Sequence, residues 1–264
     1  MDRAFWQKQT TEQPLFADLL WSRPENRTQA GKLLIIGGNS HEFAAPASAY
    51  AAAVKAGAGT VRVLLPDSLQ KTVGKLFPEA EFAPSTPIGS FGQESLASWL
   101  AAADWADGVL IAGDLGRNSE TAILIEQFAQ KYSGQLTFTK DAVNYVVSGP
   151  SSLLKRPNTL LVLSLSQLQK LARQARFTTA FTLSMDFLHL VDALHEFSQQ
   201  FPLAIITKHL ENLAVAVGGQ VSTTKLVADQ PIWRVEKAAA ASTWWLQNPT
   251  QGFASLTTSM IAEL

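Results

Sequence analysis

Several residue types and patterns are missing from this sequence. It contains no cysteine, which excludes disulfide bonds, thiolate catalysis, iron–sulfur clusters and the usual structural zinc site. No apolar run approaches the roughly 20 residues that a membrane helix needs. Residues 1–6 lack the apolar core of a secretory signal. We therefore expect a cytoplasmic protein that makes no membrane contact.

The charges are nearly balanced. There are 21 lysines and arginines against 22 aspartates and glutamates, a formal net charge of −1. Without a basic stripe or a long run of one charge, we expect no nucleic-acid partner. The chain has 264 residues, 47% of them hydrophobic, which suffices for one large core. We expect a single domain over residues 1–264, with residues 1–30 as an N-terminal extension packed on it.

Short apolar runs alternate with helical patterns along most of the chain. The predicted strands are 33–36, 60–65, 109–112, 135–139, 160–163, 203–207, 213–217 and 220–223. The predicted helices are 46–56, 94–103, 119–131, 167–174, 185–199, 235–247 and 255–263. This alternation indicates an α/β fold with a doubly wound, mostly parallel sheet. Gly218 and Gly219 predict a late hairpin, and segment 82–95, rich in proline, glycine and serine, predicts a surface loop.

The strongest local feature is the turn Gly37-Gly38-Asn39, which follows an apolar strand and precedes an alanine-rich helix. Glycines after a strand allow a ligand to approach the backbone, and a helix N-terminus favours anions. The helix has alanine at positions 45, 49, 52, 53 and 56, which allows it to approach the sheet closely. A tight turn with close packing explains the segment equally well. The dinucleotide and P-loop glycine fingerprints are absent.

Two further strand ends carry glycine or polar residues. The first contains Gly113, Asp114 and Gly116, and ligands in open α/β sheets bind beyond the carboxyl ends of strands. The second contains Asp141 and Asn144. These two side chains either contact a polar ligand or cap the short helix that follows, which is the commoner use of such residues.

The four histidines fall into two groups. His189 lies on the polar face of an amphipathic helix, opposite an apolar stripe. We therefore expect its side chain to be exposed to solvent rather than to bind a metal. His195 belongs to the same helix. His41, beside the glycine turn, and His209, at a strand end, are better candidates for a ligand site. We expect the pair Trp244-Trp245 to lie either in the hydrophobic core or at a subunit interface.

Taken together, the strand-end segments resemble the ADP/ATP-dependent NAD(P)H-hydrate dehydratases, which are ribokinase-like, carbohydrate kinase-related proteins. The first matching block is fairly specific. The matching segments are Gly31-Lys32-Leu33-Leu34-Ile35-Ile36-Gly37-Gly38-Asn39, Ala45-Pro46, Ala56-Gly57-Ala58-Gly59-Thr60-Val61, Leu115-Gly116-Arg117, Asp141-Ala142-Val143-Asn144 and Ile205-Ile206-Thr207-Lys208. The resemblance spans about residues 28–220.

The resemblance implies a ribokinase-like three-layer α/β/α sandwich. It also implies a lyase reaction in which ADP or ATP with Mg²⁺ drives dehydration of NAD(P)H hydrate, in a protein that is often oligomeric. Asp141 would be the catalytic residue, and Lys208 and His209 would contact the nucleotide. The implied substrate-binding residues are Gly37, Gly38, Asn39, Ala45, Gly113, Gly116 and Asn144. No residue is predicted to bind a metal directly.

The sequence departs from the family pattern at several functional positions. The family's GTGD, whose glycine amides form an anion hole and whose aspartate acts as base, has no counterpart near Val235. Its TPHPGE segment is replaced by residues 162–167, which lack the histidine and the carboxylate. Thr139 replaces the first aspartate of DAD. Because base and anion hole contribute large factors in rate, these changes argue against standard dehydratase chemistry by the standard residues.

Two interpretations remain open. The chain is either a divergent enzyme of this family, in which Asp141, Asp114 or Glu236 carries the dehydration or a related phosphoryl transfer to a small molecule, or a non-catalytic relative. The second would bind a nucleotide or nicotinamide-type ligand, or serve as a scaffold or homo-oligomer subunit.

Overall fold

The computed structural model describes residues 3–226 and 233–262. The strands are β1 (Trp6–Gln9), β2 (Lys32–Gly37), β3 (Thr60–Pro66), β4 (Ala80–Ala83), β5 (Gly108–Gly113), β6 (Gln135–Thr139), β7 (Thr159–Leu163), β8 (Leu203–His209), β9 (Asn212–Val217) and β10 (Gln220–Lys225). The α-helices are α1 (Ala17–Trp21), α2 (Ala44–Lys55), α3 (Gln70–Val73), α4 (Leu96–Trp105), α5 (Ser119–Lys131), α6 (Ala142–Ser148), α7 (Leu165–Gln174), α8 (Phe187–Gln200), α9 (Trp233–Gln247) and α10 (Gly252–Ser259). None of these helices has both the length and the apolar character that a membrane crossing requires.

All ten strands form one sheet, in the order β1-β10-β9-β8-β7-β6-β5-β2-β3-β4. Every neighbouring pair is parallel except β8–β9 and β9–β10. The ends of β2, β5, β6, β7 and β8 therefore lie along one side of the sheet, which we call the carboxyl edge. The chain order reverses between β2 and β5. Such a reversal is the topological switch point at which ligands bind in open α/β sheets.

Helices cover both faces of the sheet, because the parallel strands are apolar on both faces. On β2, Leu34 and Ile36 belong to the core that includes Trp99 of α4, whereas Leu33 and Ile35 belong to the core that includes the alanines of α2 and α9. The predicted three-layer sandwich with a mostly parallel sheet is therefore confirmed.

Small residues set the packing of α2. Ala49 and Ala53 are fully buried, and α2 packs against α9, whose residues Ala238 to Ala241 are also fully buried. Alanine adds little bulk, so the two helices can lie close together over β2 and β5. Gly57 ends the α2 turn with a positive φ of 86°, as its position after the helix predicts. Trp244 of α9 is buried within this single chain, in agreement with the core interpretation.

The N-terminal residues supply a strand that the sequence did not predict. β1 pairs in parallel with β10 at one margin of the sheet. The Arg3 side chain donates to both oxygens of Asp192 on α8, over 2.6 and 2.8 Å, and the Trp6 indole N–H donates to the Thr223 hydroxyl over 3.0 Å. Residues 3–9 thus contact α8 and β10 through side-chain hydrogen bonds and backbone pairing.

The predicted elements are present, with ends displaced by at most four residues. The predictions of 135–139 and 119–131 match β6 and α5. The prediction of segment 82–95 as a surface loop was partly wrong, because its first residues belong to β4 and Phe91 is fully buried against Trp99. The last predicted helix, 255–263, corresponds to α10, and Glu263 lies outside the described residues.

The tight approach of the N-terminal segment to β3 gives a prediction about Gly59. A Cβ at Gly59 would lie 1.9 Å from the Arg27 carbonyl oxygen, whereas one at Gly108 would meet its nearest atom, on Gln135, at 3.5 Å. We expect Gly59→Ala to lower the free energy of unfolding by about 1–3 kcal/mol through overpacking, with a much smaller effect for Gly108→Ala. Urea denaturation of both variants measures this difference. Equal effects would contradict the backbone clash.

Candidate functional site

Two glycine turns meet at the switch point of the sheet. The Gly38 N–H donates to the Gly113 carbonyl over 3.0 Å. A Cβ at Gly37 would lie 2.5 Å from the same carbonyl oxygen, so no larger residue fits there without a backbone shift. The ends of β2 and β5 are therefore in direct contact, and the two turns form one continuous rim.

Asp114 joins this rim to the start of α2. It is 2% exposed and has a positive φ of 58°, which is uncommon outside glycine and asparagine. Its Oδ2 accepts the Ala45 N–H over 2.7 Å. The residue before α2, Phe43, offers no side-chain cap, so Asp114 satisfies one of the unpaired N–H groups that every helix start leaves. A carboxylate there also matches the positive end of the helix dipole.

Asn39 and Lys140 complete the surroundings of Asp114. The Asn39 amide donates to the Asp114 carbonyl over 2.6 Å and accepts the His41 N–H over 2.9 Å. The Lys140 ammonium contacts the Asp114 carboxylate as an ion pair. The Asp114 carboxylate is consequently engaged by one backbone donor and one cation.

Asp141 binds the backbone of the neighbouring strand end. Its two oxygens accept the N–H groups of Asp114, over 2.7 Å, and of Leu115, over 2.9 Å. Although Asp141 directly precedes α6, its side chain makes no cap hydrogen bond to that helix. The capping interpretation was therefore wrong, and Asp141 instead fixes the loop after β5. Gly113 must be glycine for this contact, because its φ is 107° and a Cβ would lie 2.5 Å from Asp141 Oδ1.

Gly116 contacts a tyrosine that the sequence did not single out. The Tyr145 hydroxyl on α6 donates to the Gly116 carbonyl over 2.7 Å. Burial is the main cause that raises the pKa of the Tyr145 phenol, so it is a hydrogen-bond donor at neutral pH. Asn118, after the same loop, caps α5 by accepting the Glu120 N–H over 2.9 Å.

A glutamine connects the ends of β6 and β7. Gln167 closes a capping box with Ser164 at the start of α7. Its amide donates to the Lys140 carbonyl over 2.7 Å and to Asn144 Oδ1 over 3.1 Å. Arg234, in the first turn of α9, donates to Gln167 Oε1 over 3.0 Å. Neither Gln167 nor Arg234 was among the predicted site residues.

Lys208 and His209 end β8, which lies two strands away from β6, the strand that Asp141 follows. The His209 ring Nε2 lies 3.1 Å from the Met185 carbonyl oxygen, and its ring stacks on Phe187 at 6.1 Å. Within the described residues, neither His209 Nδ1 nor the Thr207 hydroxyl has a hydrogen-bond partner. The predicted nucleotide-contacting pair thus lies at the carboxyl edge, and one strand, β7, separates its strand from β6.

Two cavities lie outside the Asp114–Asp141 rim. One, of about 430 Å³, is lined by Asp107, Gln135 and Trp245 near the opposite edge of the sheet. The other, of about 420 Å³, lies between α5 and α6 and is bordered by Tyr145. The carboxyl edge remains the better ligand candidate, because the glycine-lined strand ends and polar side chains converge there.

Comparisons with known proteins were made for sequence and for structure. No protein-family model matches the sequence. A segment of 97 residues is 37% identical to the bifunctional NAD(P)H-hydrate repair enzyme Nnr of Methanothermobacter thermautotrophicus, which corresponds to 37% of this chain and 18% of that protein. The chain thus covers less than a fifth of the length of this curated relative.

Solved structures share the fold over almost the whole chain. A ribokinase-like superfamily protein of Enterococcus faecalis matches 99% of this chain and 88% of its own, with a TM-score of 0.73 and 16% identity. The ADP/ATP-dependent NAD(P)H-hydrate dehydratase of Bacillus subtilis, co-crystallized with ATP/Mg²⁺, matches 94% of this chain and 86% of its own, with a TM-score of 0.63 and 11% identity. The ribokinase-like fold inferred from the motifs is confirmed, and a 97-residue segment of the chain is similar in sequence to an NAD(P)H-hydrate repair enzyme.

Proposed function

We propose that this chain binds a nucleotide or nicotinamide-type ligand at the carboxyl edge, with ADP or ATP as the first candidates, and does not perform the standard dehydratase reaction. The glycine rim at the switch point supports binding, since ligands of open α/β sheets lie at such a point. The ATP and Mg²⁺ with which the Bacillus subtilis dehydratase was crystallized support the choice of nucleotide.

The carboxylates of Asp114 and Asp141 are already hydrogen-bonded, and this observation argues against the standard dehydratase reaction. A general base must be within reach of a substrate proton and able to accept it. Asp141 already accepts two backbone N–H groups, and Asp114 accepts the Ala45 N–H beside the Lys140 ammonium. Freeing either carboxylate would leave buried N–H groups unpaired, which costs about 1–3 kcal/mol for each group. These residues therefore act as structural ties of the cleft.

A protein-held Mg²⁺ does not fit these residues. Mg²⁺ prefers carboxylate and water oxygens in octahedral geometry. In residues 3–226 and 233–262 there is no cluster of three or more side chains that could hold a metal ion, and the oxygens of Asp114 and Asp141 are engaged by N–H donors and by Lys140. No step of a reaction is assigned to a metal bound by this chain.

The remaining expectations stay proposals. These are the cytoplasmic location, the single domain over residues 1–264 and the homo-oligomer. A pure scaffold without a ligand is the competing function. It differs from the present proposal in a measurable way, because a scaffold gains no stability from nucleotide.

The first prediction concerns Asp141 as a structural tie. In Asp141→Asn, the side-chain amide offers only one oxygen to the two backbone N–H groups, so one of them loses its acceptor. We expect a loss of about 1–3 kcal/mol in the free energy of unfolding without any ligand, measured by urea denaturation. Asp104→Asn, at an exposed position of α4, is the control and should change stability little. A variant as stable as the parent would indicate a carboxylate kept for catalysis.

The second prediction concerns nucleotide binding. A ligand at about ten times its Kd stabilises the native state by about 1.4 kcal/mol. For a chain of this size that raises Tm by roughly 3–5 °C. We expect such a shift with millimolar ADP or ATP and Mg²⁺, measured by differential scanning fluorimetry. An unchanged Tm at all concentrations would favour the scaffold.

The third prediction concerns turnover. With NADH hydrate and ADP or ATP, we expect no restoration of NADH absorbance above the rate without protein. The Bacillus subtilis dehydratase serves as the positive control. Restoration that Asp141→Asn abolishes, with the variant still folded, would establish an active enzyme and refute the proposal.

A further inference from the structure

Arg234 brings a positive charge to the carboxyl edge from the helix layer. It lies in the first turn of α9, and one of its terminal N–H groups donates to Gln167 Oε1 over 3.0 Å. Gln167 is itself fixed, because its amide nitrogen donates to the Lys140 carbonyl and to Asn144 Oδ1. These two bonds turn the amide oxygen toward Arg234. The guanidinium is therefore held in one place beside the ends of β6 and β7.

The surroundings of this guanidinium are partly dry. Arg234 is half-buried, and burial lowers the pKa of its guanidinium, while the negative charge of Asp141 acts in the opposite direction. Asp141 does not pair with it directly, since both carboxylate oxygens accept the backbone N–H groups of Asp114 and Leu115. Within residues 3–226 and 233–262, folding thus removes water from this cation without placing a carboxylate in direct contact with it.

A buried arginine of this chain, Arg156, shows how a guanidinium with a structural role is hydrogen-bonded in this protein. Burial also lowers the pKa of Arg156, yet its three nitrogens donate to six acceptors. These acceptors are the carbonyls of Ala129, Tyr132, Gly134, Pro157 and Asn158 and the hydroxyl of Thr159. Within the part of the chain that the structure describes, Arg234 donates only to Gln167. Four of its five N–H donors thus have no acceptor there.

We propose that Arg234 binds a phosphate group of the ligand that lies on the carboxyl edge; this inference rests on the proposed function. A guanidinium offers parallel N–H donors that match two phosphate oxygens, and such charge-assisted pairs are about twice as strong as neutral ones. Gln167 acts as a positioning residue that orients the guanidinium. Asp141, with its oxygens occupied, contributes a fixed negative charge behind it.

The phosphate can belong to a nucleotide or be free in solution, and calorimetric titration distinguishes the two sources. The full chain is titrated with ADP, inorganic pyrophosphate and adenosine. Arg234→Gln should weaken ADP binding by about 10–100-fold, because a hydrogen-bonded charge pair contributes roughly that factor, and should leave adenosine binding unchanged. Arg234→Lys should fall between the two, since lysine keeps the charge but lacks the fork. Tighter binding of ADP than of pyrophosphate identifies the nucleotide as the source, and equal binding identifies free phosphate.

Arg173→Gln is the matched control, because it removes the same charge from the exposed far end of α7. We expect it to bind ADP within about twofold of the parent. If Arg234→Gln does not fold, as judged by its thermal transition, Gln167→Ala replaces it and should weaken ADP binding several-fold without a change of charge.

The outcomes separate this inference from the proposed function. If Arg234→Gln, or its replacement, binds ADP as tightly as the parent does, the role of Arg234 is refuted and nucleotide binding stands. Equal weakening of ADP and adenosine would also refute it, since a general distortion of the site would then be the cause. If the parent chain binds neither ADP nor pyrophosphate, both proposals fail.

Discussion

The Asp141 carboxylate holds the carboxyl edge together. It accepts the N–H groups of Asp114 and Leu115, and Asp114 in turn caps α2 at Ala45. The ends of β5 and β6 and the start of α2 are thereby tied by two carboxylates in series. This contact by itself requires glycine at position 113, whether or not a ligand binds there, since a side chain at Gly113 would collide with Asp141. The segment of Asp141, which resembles a family motif, thus makes structural hydrogen bonds to the neighbouring strand end.

Much of the sheet could be predicted from the sequence, for a physical reason. A strand that is buried on both faces needs a continuous apolar run, and β2, β5 and β7 show one. β1 could not be predicted in this way, because Trp6–Gln9 has neither an apolar run nor clean alternation. It is a strand because β10 presents an unpaired edge to it. β4 is similar, as its four residues pair only with β3.

Only the part of the candidate site that the strand ends form could be predicted from the sequence. Glycines at the ends of parallel strands must lie at one edge of the sheet, so the sequence alone places Gly37, Gly38 and Gly113 close together. The residues that contact those turns could not be predicted from the sequence. Tyr145 reaches Gly116 across 29 positions and Arg234 reaches Gln167 across 67, and neither pair leaves a local signal. The sequence identified Asp141 as important, but its partners, which are backbone N–H groups, carry no side-chain signature.

The pairing of β1 with β10 has a consequence for how the chain is made. β1 pairs with a strand that is distant in sequence, since Gln9 and Thr224 are 215 positions apart and their side chains are hydrogen-bonded. Contacts of such sequence separation form slowly. Trp6 and its neighbours cannot pair until the β9–β10 hairpin has formed, whereas the parallel strands between β1 and β9 in sequence can assemble earlier. We therefore expect closure of this margin of the sheet to be a late step of folding.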